Sequence, residues 1–382
     1  MTVNDIKTVA VIGAGDMGHG IAEVALIAGC RVVLRDIKQE YVERGAMRID
    51  ESLRKLVQKG RVSQEHHNLI RSELFKTCTD LPEAVFQADL VIEAIPEDLL
   101  LKKQLFEQLD VAAPAHAILA SNTSTMSITQ LAKATLRPAQ VVGMHFFNPA
   151  VLMKTVEIVK GDSTSDKTMD LCFVYCEKIG KKPVRVNKDV PGFIINRVQA
   201  PTGVLVNSIL DEGIATPEEL DALLRGQGMP MGPCELMDYT GLDINFSASK
   251  YFADTVHRDY APGKVLSEKV QAGELGKKSG KGFFNWSQGR PSIDLTKATQ
   301  KIDPGDFALV NANEATRLIE MGVCSAEDID TAVLNGTGSP VGPMAVLRGI
   351  GPQEATQRLE GLAARFGKSI FQPSDTIRSG KC

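Results

Sequence analysis

The sequence lacks three patterns that would each name a class of protein. Its seven cysteines, an odd number, contain no C-x-x-C pair, and Cys172 and Cys176 are merely helix neighbours. A zinc ribbon or dithiol redox site therefore has no basis in the pattern, no metal site is expected, and inert thiols fit a reducing cytoplasm. No apolar run approaches the ~18 residues a membrane-crossing helix needs, so no membrane partner is expected. No basic stripe exists either: 43 Lys and Arg stand against 47 Asp and Glu, a formal charge of -4. Nucleic acid is thus not an expected partner. The first strand-like run starts at Thr8, so no cleaved leader is expected ahead of it, and a cytoplasmic location is expected.

What is present is an ordinary globular composition on a long chain. At 382 residues, 43% apolar and 24% charged, two or three domains are expected. Strand-type runs "TVAVIG", "RVVLRD", "ADLVIEAI", "AILASN", "VVGMHFF", "TVEIV" and "PVRVN" alternate with helical patterns such as Met17–Ala28, Lys38–Lys59 and Leu99–Ala112. That alternation predicts a mostly parallel sheet covered by helices on both faces. After "KDVPGF" the strands stop and helix-period sequence takes over, so a domain boundary is placed near Lys188.

The helical part repeats itself. Asp211–Leu236 ("DEGIATPEELDALLRGQGMPMGPCEL") matches Glu320–Val346 ("EMGVCSAEDIDTAVLNGTGSPVGPMAV"), with a turn-rich seam at "NWSQGRPSID". The period, roughly 110 residues, is too long for a solenoid and points to a duplicated small domain. The expected fold is an α/β Rossmann-type domain, 1–188, followed by two all-α domains related by duplication, 189–290 and 291–382.

"VAVIGAGDMGHGIA" spaces Gly13, Gly15 and Gly18 as G-x-G-x-x-G, after an apolar strand and before a helical pattern. Gly13 permits the tight turn, Gly15 lets backbone amides approach a pyrophosphate, and Gly18 allows close helix–strand packing. The helix N-terminus then offers N–H groups to phosphate. Asp36 ends the next strand, where it accepts ribose hydroxyls and repels a 2′-phosphate, so NAD is expected over NADP. The neighbouring Arg35 weakens that preference.

His145 and Glu157 each sit inside an apolar, strand-like run, "VVGMHFF" and "TVEIV". Unpaired in a core, both would cost several kcal/mol. If the runs pair as antiparallel neighbours about a connection centred on Val151, the two residues lie directly opposite, with Cβ atoms about 5 Å apart. Such a carboxylate holds one imidazole tautomer and stabilises the protonated ring, the arrangement a general base needs. A purely structural His–Glu pair satisfies the same pattern.

"GAGDMGHGIA", "SNTSTMSI", "GMHFFNP" with "VEIVKG", and "KDVPGFIINR" occur in the order and spacing of the L-3-hydroxyacyl-CoA dehydrogenases of fatty-acid β-oxidation, which this chain resembles from about Thr8 to Asn285. The later repeat is similar to the extra helical domain of longer relatives. The resemblance implies NAD-dependent oxidation of a 3-hydroxyacyl-CoA to its 3-oxo product. It implies His145 as base, Glu157 as its partner, and Ser124 and Asn196 as holders of the substrate's oxygen. Glu97, Lys102, Asn122, Asn148 and Lys278 match cofactor contacts, and Ser52 and Lys59 match positions that touch coenzyme A.

The same motifs leave other readings open. A related dehydrogenase could act on a hydroxy or sugar acid, and a non-catalytic NAD-binding protein could keep the fold.

The resemblance also implies that the helical domain mediates dimerisation. A second copy in one chain can take the partner's place, so either a monomer with an internal pseudo-dimer or a homodimer is expected. Asn196 lies seventeen residues ahead of Gly213, whereas Gly305 holds the matching place ahead of Gly322. The second copy therefore lacks the asparagine and is expected to serve packing alone.

Overall fold

All strands among the described residues, 2–381 of the computed structural model, lie before residue 187. They are β1 (Thr8–Ile12), β2 (Arg31–Arg35), β3 (Phe75–Cys78), β4 (Leu90–Glu93), β5 (Ile118–Ser121), β6 (Val141–Phe146), β7 (Thr155–Val159) and β8 (Lys182–Val186). One sheet holds them in the order β3-β2-β1-β4-β5-β6-β7-β8. Neighbours run parallel except β6 and β7, which are antiparallel. The chain moves outward from β1 in one direction, then crosses back to β4. The carboxyl ends of β1 and β4 consequently flank a topological switch point, where open α/β sheets bind ligands.

β4, β5, β6 and β7 are buried at every position, which explains their near-continuous apolar runs. β3 was absent from the strand runs read in the sequence. It is a four-residue edge strand whose Lys76 and Thr77 are exposed, so neither an apolar run nor clean alternation marks it. The helices Asp16–Ile27, Gln39–Gln58 and Leu99–Ala112 fall within a residue of the expected ranges. Asp98 caps the last of these by accepting from Leu101 N at 2.9 Å, the usual device for an orphan N–H at a helix start.

The chain divides into two compact units that cut across the boundaries read from sequence. The first comprises Met1–Ile195 together with Met321–Gly342, and the second Asn196–Glu320 with Pro343–Cys382. In the first unit, helix Ala326–Gly336 lies against β7 and β8. Asn187 N donates to Val323 O at 2.6 Å, and Arg185 N to Asp328 Oδ1 at 3.1 Å. A segment assigned to the second repeat thus covers the end of the sheet.

The second unit is helical. Helices Ile195–Asp211 and Gly305–Glu320 are joined by a buried ion pair, with Arg197 Nε donating to Glu314 Oε1 at 2.5 Å and Arg317 Nη1 to Glu314 Oε2 at 3.0 Å. Asp221 accepts from Cys234 N and Glu235 N, both at 2.8 Å, and so anchors the "MGPCEL" turn. No described helix is long and apolar enough to cross a membrane.

Candidate active site

The glycine loop is shaped by what its backbone must avoid. Gly13 has φ 107°, and a Cβ there would stand 2.5 Å from Ala94 O. A Cβ on Gly18 would stand 1.8 Å from Gly13 O, so helix and strand approach as only glycine allows. Nothing lies within 4 Å of a Cβ built on Gly15, which caps helix Asp16–Ile27 without any side-chain hydrogen bond. Its first-turn N–H groups are therefore suited to a phosphate.

Asp36 fixes the rim of this cradle. Its Oδ2 accepts from Ala14 N and its Oδ1 from Ile37 N, each at 2.7 Å, and each oxygen keeps a lone pair for a ribose hydroxyl. Arg35 turns to the far side, where Nε donates to Thr79 O at 3.0 Å. The donor set, the open Gly15 backbone and the acidic rim fit a dinucleotide without a 2′-phosphate.

At the other end of the sheet β6 and β7 pair in a register that sets His145 opposite Glu157. His145 Nδ1 lies 2.6 Å from Glu157 Oε2, and the glutamate is fully buried. Glu157 Oε1 accepts from Ile194 N at 3.0 Å and Ile195 N at 2.8 Å. Those N–H groups are aimed by a reversal at Gly192 (φ 78°) and Phe193 (φ 52°), a left-handed conformation that a phenylalanine adopts only when its surroundings dictate it. The Phe193 ring is itself buried, 5.9 Å from the imidazole. With Nδ1 engaged, Nε2 meets no hydrogen-bond partner among the described residues.

A second network lies at the ends of β4 and β5. Glu97 accepts from Thr123 Oγ1 at 2.9 Å, from Ser124 N at 2.6 Å and from Ser124 Oγ at 3.1 Å. Lys102, matched above with a cofactor contact, is 1% exposed. Its ammonium donates to Glu93 Oε1 at 2.5 Å and Ile95 O at 3.1 Å, and lies 3.3 Å from Glu97 Oε2. Asn122 ties the two regions, since its Oδ1 accepts from Phe146 N beside His145 at 2.8 Å.

The remaining positions are more scattered. Asn148 is exposed in the β6–β7 connection. Ser52 is half-buried beside the buried Glu23, and Lys59 is exposed at the end of the same helix. Asn196, in the first turn of helix Ile195–Asp211, and Lys278, whose Nζ is 2.5 Å from the Asp243 carboxylate, belong to the second unit. Sequence reasoning passed over Glu93. The signal was there, a lone acid closing the apolar run "LVI", the same signal that singled out Glu157.

A glycine-loop cradle on a doubly wound sheet, with a carboxylate-held histidine on the same sheet, defines a nicotinamide-dependent oxidoreductase, and the cofactor is NAD. The chain belongs to the 3-hydroxyacyl-CoA dehydrogenase family. Residues 8–190 match its NAD binding domain, and residues 192–286 and 308–379 its C-terminal domain.

The 3-hydroxyadipyl-CoA dehydrogenase of Escherichia coli K12 is 34% identical over 99% of this chain and 98% of its own length. A probable 3-hydroxybutyryl-CoA dehydrogenase of Deinococcus radiodurans is 43% identical over 72% of this chain and 99% of its own. A crystal structure of 3-hydroxybutyryl-CoA dehydrogenase from Escherichia coli K12 superposes with TM-score 0.89, at 32% identity, over 98% of both chains.

Proposed function

We propose that His145 is the base, and Glu157 its orienter, in the reversible oxidation of (S)-3-hydroxyacyl-CoA to 3-oxoacyl-CoA. The observation that carries this reading is the 2.6 Å contact between His145 Nδ1 and a fully buried carboxylate. Glu157 keeps the hydrogen on Nδ1 and leaves the Nε2 lone pair to take the proton of the 3-hydroxyl. NAD⁺, held by the glycine loop and Asp36, would supply the acceptor for the hydride that leaves C3. In reverse the ring returns the proton to the carbonyl oxygen.

Ser124, fixed by Glu97, holds the substrate's oxygen, and Asn122 keeps the β6 backbone in place beside the histidine. Glycines 13, 15 and 18 with Asp36 bind the dinucleotide. Lys102 acts through Glu97, since its ammonium is wholly engaged by protein acceptors. Asn196, Asn148 and Lys278 are assigned to substrate and cofactor, and Ser52 and Lys59 to the coenzyme A arm, on the family resemblance alone.

The two helical repeats are read as an internal pseudo-dimer. In support, Thr202 Oγ1 donates to Asn311 Oδ1 at 2.9 Å across a separation of 109 residues, the same separation as Gly213 and Gly322. Equivalent positions that touch each other are the mark of a twofold contact. A monomer by light scattering supports this assignment, and an obligate tetramer contradicts it. A cytoplasmic setting belongs to the same proposal, because the six unpaired thiols among the described residues, five of them buried, suit a reducing compartment.

The experiment is NADH oxidation against a series of 3-oxoacyl-CoA thioesters. Turnover is expected with NADH and far less with NADPH. Free 3-hydroxybutyrate oxidised as fast as its thioester would instead favour a hydroxy-acid dehydrogenase.

A further inference from the structure

Glu93 is an expensive residue for the end of a buried strand. It is 0% exposed, and burial pushes its carboxyl up while the Lys102 ammonium pulls the other way. A buried ion pair with good geometry commonly does no more than match an apolar replacement in stability. Its place in the network supplies a reason for it.

Each carboxylate oxygen starts a separate route, and both routes end on the same side chain. Oε1 accepts from Ile95 N at 2.8 Å and from Lys102 Nζ at 2.5 Å, and that ammonium lies 3.3 Å from Glu97 Oε2. Oε2 accepts from Ser121 Oγ at 2.5 Å; Ser121 Oγ accepts in turn from Thr123 N at 3.2 Å, and Thr123 Oγ1 donates to Glu97 Oε2 at 2.9 Å. Glu97 then takes both the N–H and the hydroxyl of Ser124. The fully buried Glu93 is therefore the fixed end of a two-armed clamp, and the half-exposed Ser124 is its working end.

We propose that Glu93 is a positioning residue for the reaction, holding Glu97 through Lys102 on one arm and through Ser121 and Thr123 on the other, and so fixing where Ser124 meets the substrate's oxygen. The inference rests on the reading of Ser124 given above. It separates Glu93 from the residues that touch substrate, since its effect reaches the reacting atoms only through another side chain.

Coupling tests it in the full-length protein with acetoacetyl-CoA and NADH. Glu93→Gln keeps the shape and deletes the charge that anchors Lys102. Its kcat is expected to fall at least ~10-fold, whereas the same substitution in a Ser124→Ala background should change kcat by less than ~2-fold, because its route of action is already cut. Equal losses in both backgrounds would make Glu93 merely structural, and an unchanged kcat would remove it from the reaction altogether. If Glu93→Gln is too unstable to assay, Ser121→Ala severs one arm and should show a smaller loss that again vanishes with Ser124→Ala. A loss that persists there, or none at all, overturns the proposal. The Ser124→Ala single variant checks the underlying reading separately: a kcat near wild type would overturn the role of Ser124, whatever Glu93→Gln does.

Discussion

The cradle at Gly13–Asp36 and the proposed reacting end at β4–β7 are built by opposite means. The cradle works by leaving side chains out: three glycines let backbone meet backbone, and no side chain caps the helix start. The reacting end works by putting charge in: Glu93, Lys102, His145 and Glu157 are all at least nine-tenths buried, each paired. Binding a dinucleotide asks for shape and amide donors, which the backbone supplies. Moving a proton asks for a titratable group held in one tautomer and one place, which only a satisfied polar cluster provides.

This contrast predicts separable failures. The largest is at the reacting end, where Glu157→Gln should lower kcat by ~10²–10³, because the tautomer and ring orientation are lost. NADH affinity, measured by fluorescence titration, should stay near wild type. A parallel loss of both would mean the two regions are not independent.

The next concerns a charge hidden behind the cradle. Glu23, on the cradle's own helix, is 1% exposed with Oε1 unpartnered. Burial pushes its carboxyl up to about 7, the Ser52 hydroxyl only partly opposing. Because the folded protein holds this proton more tightly than the unfolded chain, stability is fully present below pH ~4.5 and is lost as pH rises through about 7. Glu23→Gln should therefore gain stability over wild type at pH 8, by up to about 3 kcal/mol, and little at pH 4. A gain equal at both pH values would contradict the burial cause. The smallest effect belongs to Gly18→Ala, which forces the helix off the strand. It should cost about 1–3 kcal/mol in denaturant melts and weaken NADH binding, with the kcat of the saturated enzyme largely kept.

Local constraints were legible in the sequence and distant ones were not. The glycine spacing, Asp36 and seven of the eight strands follow from patterns within a few residues. The opposition of His145 and Glu157 follows from a short antiparallel connection, and the register matches it. β3 stayed hidden because a polar edge strand needs no apolar signal. Glu93 is marked by a lone acid closing an apolar run, but its partnerships stayed hidden for a different reason. Its partners come from Ile95, Lys102 and Ser121, and only the adjacency of β4 and β5 brings the last of these near. The placement of Met321–Gly342 against β7 and β8 could not be read from a repeat pattern either, because a repeat tells what a segment resembles and not what it covers.

The most direct measurement is steady-state oxidation of NADH by His145→Gln with acetoacetyl-CoA, alongside its NADH dissociation constant. An imidazole that carries the proton predicts kcat lowered by ~10²–10⁴ with NADH still bound normally. Near-wild-type turnover would show that the proton travels by another route, and the assignment of the reacting end would be wrong.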